Sequence, residues 1–126
     1  MNASVIIQET VNLILKDYQE QIDAILLFGS HADGTNIWRS DIDICVVFKR
    51  DFDSKEATLF RIKIAGQVSD KIDIQVFNTL PLKIKKSIAD NHLILFSSLD
   101  FDEFFFTKRN RSLFFDFKEK IAAVGL

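Results

Sequence analysis

Residues 25–48, ILLFGSHADGTNIWRSDIDICVVF, decide the fold. An apolar run ends in Gly29-Ser30, a polar stretch of ten residues intervenes, and Asp41-Ile42-Asp43 opens a second apolar run. This pattern predicts two strands joined by a loop. Side chains alternate between the faces of a strand, so Asp41 and Asp43 are expected on one face, with Ile42 and Ile44 on the other. Two neighbouring carboxylates repel each other unless a cation lies between them. A hard, oxygen-seeking ion such as Mg²⁺ fits, because it takes one or two protein carboxylates and completes its octahedron with water and phosphate oxygens.

Working outward, the segment before this stretch has apolar residues at Val5, Ile6, Val11, Leu13, Ile14, Leu15 and Tyr18. Their spacing of three and four predicts an amphipathic helix over residues 3–19, with Ser4 as its N-cap. Ile22–Phe28 is short and continuously apolar, as a buried strand should be, and Gly29 stops it. The turn chemistry of residues 31–40 includes a short helical turn starting at Ser30. Ile42–Phe48 is rich in β-branched residues and reads as the second strand.

Beyond it, Ser54 is expected to cap a helix running to about Val68. Gly66 inside that helix predicts either close packing or a locally weakened helix. KIDIQVF, residues 71–77, alternates apolar and polar residues and predicts a third strand with Ile72, Ile74 and Val76 on its buried face. Pro81 suits the first turn of a short helix ending near Ala89, and residues 93–96 could add an edge strand. Asp100 with Glu103 resembles a capping box for a long last helix reaching about Ala123. The predicted fold is therefore one small α/β domain over residues 1–126, a mixed sheet backed by helices.

Composition limits the function. The 126 residues are 48% apolar and 27% charged, ordinary for a globular protein. A net charge of −2 gives no electrostatic case for direct nucleic-acid binding. A single cysteine, Cys45, excludes an internal disulfide, and with only two histidines it leaves no Cys/His zinc site. Cys45 reads as a small buried strand residue. No apolar run approaches the roughly 20 residues that span a bilayer, and no secretory signal pattern opens the chain, so the cytoplasm is the expected location and no membrane contact is expected.

A lone DxD or a lone Gly-Ser is common and usually structural. Here Gly-Ser ends one strand, DxD opens the next, and a third acid, Asp73, stands mid-strand in KIDIQVF, where propensity and desolvation disfavour it. A bound cation removes that objection for all three acids. This combination resembles the signature of the DNA polymerase β-like nucleotidyltransferases, and the short chain is most similar to their minimal branch. The resemblance covers about residues 24–77 closely. It implies a polymerase β palm-like fold and a Mg²⁺-dependent nucleotidyltransferase in which Asp41, Asp43 and Asp73 are both catalytic and metal-holding. Two Mg²⁺ ions would bridge the phosphates of a nucleoside triphosphate, most simply ATP. It further implies that Gly29 lets the backbone approach the phosphates and that Ser30 donates its hydroxyl to them.

Relatives carry arginines in the turn after Gly-Ser. His31 and Asp33 hold those places here, so the cation that assists the phosphates is expected from Arg39, Lys71 or a partner. His31 reads as a loop histidine that could touch a phosphate when protonated. Trp38 could stack on a base or cover the loop.

The last helix carries Phe101, Phe104, Phe105, Phe106, Phe114, Phe115 and Phe117, too wide a ring for one buried stripe. Part of it should pack on the domain and part should meet another chain, in a homo- or hetero-oligomer. Lys108, Arg109 and Arg111 form a basic cluster beside it. The minimal branch implies the partner: its members resemble antitoxins encoded with HEPN-domain ribonuclease toxins, some of which transfer AMP from ATP onto a toxin tyrosine. Two alternatives stay open, a catalytically weakened module that neutralises its partner by binding alone, and transfer to a small molecule such as an antibiotic.

Overall fold

The computed structural model describes residues 2–37 and 39–125. Helix α1 spans Ala3–Tyr18 and a 3₁₀ turn, Gln19–Gln21, leads into strand β1, Ile22–Phe28. The one-turn helix α2, Ser30–Asp33, precedes the loop to β2, Ile42–Phe48. Helix α3, Ser54–Ala65, crosses to β3, Ile72–Val76. A second 3₁₀ turn, Phe77–Thr79, then leads to α4, Leu82–Asp90, β4, Leu93–Ser97, and the long α5, Glu103–Ala123.

The four strands form a mixed sheet in the order β3-β2-β1-β4. β1 is antiparallel to both β2 and β4, whereas β2 and β3, joined through α3, run parallel. Period-two alternation divides the inner strands between two cores. Ile25, Leu27, Ile42, Ile44, Val46, Ile74 and Val76 pack against α1 and α3, where Ile14, Phe60 and Ile64 are buried. Ala24, Leu26, Cys45, Val47 and Phe77 face α4 and α5, where Ile88, Ala89 and Phe106 close the second core. The sheet is thus covered on both faces, and its continuous apolar strands follow from that.

Differences from the sequence expectations lie at element ends. Asn2 rather than Ser4 caps α1, accepting from the Val5 amide at 3.0 Å. Asp53 rather than Ser54 caps α3, which stops at Ala65 instead of Val68. Gly66 is the residue after that helix, and a Cβ there would meet only ordinary contacts, so close packing is not its role. Pro81 stands just outside α4 as its N-cap residue. Asp102, not Asp100, caps α5 by accepting from the Phe105 amide at 3.0 Å. Glu103, assigned to a capping box from sequence, instead reaches Nε2 of His92 at 2.7 Å. The cap shifts at α1, α3 and α5 have one cause: two or more Asn, Asp or Ser residues compete at each of these starts, and the backbone entering the helix selects the one with extended φ/ψ.

Cys45 is fully buried as expected, and burial pushes its thiol well above the ordinary range. A thiol held protonated in this way is inert. No helix among the described residues is long and apolar enough to cross a membrane.

Candidate active site

The site lies at the sheet end where β1 finishes and β2 begins. Phe28 is opposite Asp43 across the antiparallel pair, so Gly29 leaves the sheet directly beside Asp43. Gly29 has φ +71°, in the region that glycine enters without penalty. A Cβ there would also overlap the Asp43 carboxylate at Oδ2 and come within 3.1 Å of its Cγ. Both backbone conformation and space therefore require glycine. The chain then turns into α2, opened by Ser30, with the Ala32 and Asp33 amides donating to the Gly29 carbonyl.

Across the parallel pair, Asp43 is in register with Asp73, Ile42 with Ile72, and Ile44 with Ile74. The two carboxylates emerge from adjacent strands on the same sheet face, at the end away from the Cys45–Phe77 core. Gln75, two residues along β3 and so on that face, donates from Nε2 to Asp73 Oδ1 at 3.3 Å. Sequence reading missed this contact, although the alternation of KIDIQVF places Gln75 and Asp73 on one side.

Electrostatics mark the pair. The Asp43 carboxyl titrates above the ordinary aspartate range, first because it is half-buried, then because Asp73 and Asp41 lie nearby. A hydrogen bond with Asp73 acts in the same direction, and only His31 opposes it. Asp41 precedes β2 and is exposed, close enough for its charge to be felt at Asp43.

Oxygen donors with excess negative charge fit a hard divalent cation. Among the described residues no three His, Cys, Asp or Glu side chains meet closely enough to hold a metal ion by themselves. Asp41, Asp43 and Asp73 are thus not gathered into one such group: the register joins Asp43 with Asp73, and Asp41 stands exposed before β2.

The loop after Gly29 is tied together locally. Asp33 accepts from the Thr35 hydroxyl at 2.5 Å and from the Thr35 amide at 3.0 Å, which holds its exposed carboxyl below the ordinary range. Ser40 Oγ accepts from the Ile37 amide at 2.9 Å, and the Ser40 carbonyl lies 3.5 Å from His31 Nε2. His31 follows Ser30 in α2, and its charge acts to lower the Asp43 carboxyl. Arg39 and Lys71 are exposed near the two ends of this loop and strand system. Trp38, a candidate for base stacking, lies outside the described residues.

Comparison with known proteins identifies this arrangement. Residues 9–101 match the family model "Polymerase beta, Nucleotidyltransferase". A protein of Methanocaldococcus jannaschii, provisionally named a protein adenylyltransferase, is 34% identical over 102 residues, covering 80% of this chain and 76% of its own length. Among solved structures, a toxin–antitoxin complex with AMP-PNP contains a chain with TM-score 0.72 and 21% identity, covering 92% of this chain and 93% of that one. A complex of tri-AMPylated Shewanella oneidensis HEPN toxin with MNT antitoxin gives TM-score 0.67 and 19% identity, with 93% coverage of each chain. At those identities the structural matches speak for the fold, while the family match and the sequence relative speak for descent and activity. The chain belongs to the polymerase beta nucleotidyltransferase family and is a nucleotidyltransferase.

Proposed function

We propose that the chain transfers AMP from Mg²⁺-bound ATP onto a hydroxyl of a partner protein, as the antitoxin of a HEPN-domain ribonuclease. The observation that carries the reaction is the Asp43–Asp73 pair, in register on adjacent strands and placed directly beside the Gly29 turn. Asp41, Asp43 and Asp73 are the residues that would hold two Mg²⁺ ions. When bound, the ions supply a lowered pKa at the acceptor hydroxyl and charge neutralisation at the leaving pyrophosphate.

The chain's own groups do the rest. Gly29, lacking a side chain, leaves room for phosphate oxygens beside Asp43, and the Ser30 hydroxyl donates to them. Arg39 balances phosphate charge from the loop. Asp73, steadied by Gln75, accepts the proton as the acceptor oxygen bonds to the α-phosphorus and the bond to pyrophosphate breaks.

A protein acceptor is supported by the sequence relative named for protein adenylylation and by the exposed phenylalanines of α5. The structural relatives crystallised with HEPN toxin support that class of partner. The turn after Ser30 favours one second reading, neutralisation by binding alone, because Asp33 stands where a phosphate-binding arginine is expected.

Incubating the purified chain with labelled ATP, Mg²⁺ and the HEPN protein encoded beside it separates the two. Intact mass of the partner should increase by one or more AMP groups, and Asp43→Asn should abolish the increase. Equal neutralisation by wild type and Asp43→Asn, with no label on the partner, would leave the binding reading in place of transfer.

A further inference from the structure

A cavity of about 420 Å³ opens at the opposite end of the sheet from Asp43. Asp43 stands at the start of β2, and Phe48, at its end, lines this cavity. At about 3.3 Å per residue the two sites are separated by roughly 17 Å. The volume falls within the roughly 300–1,000 Å³ typical of small-molecule sites. Its walls are built by the ends of β1 and β2, the turn after β3, α4 and the first half of α5.

Two features point to a ligand. The first is a pair of cations, Lys85 and Arg109, held outside any ion pair in a lining that also carries Asp23, Asp51, Asp100 and Asp102. Lys85 is half-buried in the wall, its ammonium 5.5 Å from the Phe77 ring. Arg109 faces the same space from α5. Among the described residues neither has a carboxylate within ion-pair distance. Burial, and then repulsion from Arg109, holds the Lys85 ammonium below its ordinary range, with Asp51 and Cys45 opposing.

The second feature is an aromatic wall, where Phe106 packs at 4.9 Å from Phe77 and 5.4 Å from Phe101. The rim is rigid, because Asn78 accepts from the Phe48 amide at 3.0 Å and donates to the Phe48 and Arg50 carbonyls.

We propose that this cavity binds a small aromatic anion, a nucleoside monophosphate, with its phosphate between Lys85 and Arg109 and its base against the phenylalanine wall. A phosphate offers each cation a charge-assisted hydrogen bond and relieves their mutual repulsion. The four carboxylates of the lining, Asp23, Asp51, Asp100 and Asp102, disfavour the added charge of a longer polyphosphate. The proposal does not depend on the chemistry at the Asp43 end.

The test uses the full chain carrying Asp43→Asn and Asp73→Asn, titrated with AMP in EDTA by calorimetry. Saturable one-site binding is expected, weakened about tenfold or more by adding Lys85→Met or Arg109→Gln. Adenosine and inorganic phosphate alone should each bind at least about tenfold more weakly than AMP. Thermal unfolding of the Lys85→Met and Arg109→Gln chains shows that they remain folded. Absence of saturable AMP binding, unchanged affinity in both cation variants, or phosphate binding as tightly as AMP would overturn the assignment.

Discussion

At the scale of single residues, the site sacrifices stability for chemistry. Asp43 is half-buried near Asp73, and the missing side chain of Gly29 leaves room for its carboxylate. A carboxyl titrating higher in the folded chain than in the unfolded one binds its proton more tightly when folded. Its contribution therefore favours folding at acid pH and becomes a penalty once the pH has risen through the folded value. Near neutral pH, without divalent cations, Asp43→Asn should stabilise the chain. The gain is about 0.5 kcal/mol after allowance for solvent screening of a half-exposed group. Urea denaturation in EDTA checks this, and a destabilised variant would show that the carboxylates support each other rather than repel. Asp43, Asp73 and the Gly-Ser turn stood out in the sequence because each breaks a local rule, charge inside a strand or glycine between a strand and a helix, whereas Asp41 precedes β2 and breaks none. Gln75 did not stand out, since a glutamine in a strand breaks none.

At the scale of elements, the strands could be read because their burial is nearly complete and their alternation or apolar continuity follows from it. The helix starts could not be fixed to a residue. Starts such as Asn2/Ser4, Asp53/Ser54 and Asp100/Asp102 offer more than one side chain able to cap, and only the path of the incoming backbone decides among them. Also hidden in the sequence was the clamp by which the turn after β3 holds the end of β2. Asn78 spends its amide on three backbone groups, the Phe48 N–H and carbonyl and the Arg50 carbonyl. Asn78→Ala leaves the two part-buried Phe48 groups unpaired and the exposed Arg50 carbonyl to water, and should cost about 2 kcal/mol, at roughly 1 kcal/mol for each part-buried hydrogen bond. The loss should appear as a lower urea midpoint with an unchanged slope. A cost below about 0.5 kcal/mol would mean that water replaces the clamp.

At the scale of the whole molecule, the phenylalanines of α5 and of the turn before it divide between two tasks. Phe106 is buried in the second core, and Phe101 and Phe114 are partly covered, whereas Phe104 is 77% exposed and Phe115 and Phe117 are about half exposed at 46% and 49%. The sequence showed the ring of phenylalanines but not which arc faces outward, because that depends on how α4 and α5 sit on the sheet. Phe104 and Phe115 border one groove on the outer side of α5, with Lys108 and Arg111 between them. Exposed aromatic and arginine side chains are the residue types that dominate binding energy at interfaces. Replacing Phe104 and Phe115 together with Glu should change unfolding free energy by less than about 0.5 kcal/mol per site, as expected for exposed positions. Under the proposed function, the same change should weaken binding to the HEPN partner by about 2 kcal/mol or more, roughly thirtyfold. Paired measurements, urea unfolding of the chain alone and calorimetry with the partner, separate the two effects. A large loss of stability with unchanged affinity would return these rings to the fold and move the partner surface elsewhere. Unchanged stability with lost affinity would make the outer face of α5 the place where the acceptor is held while its hydroxyl reaches the Asp43 end of the sheet.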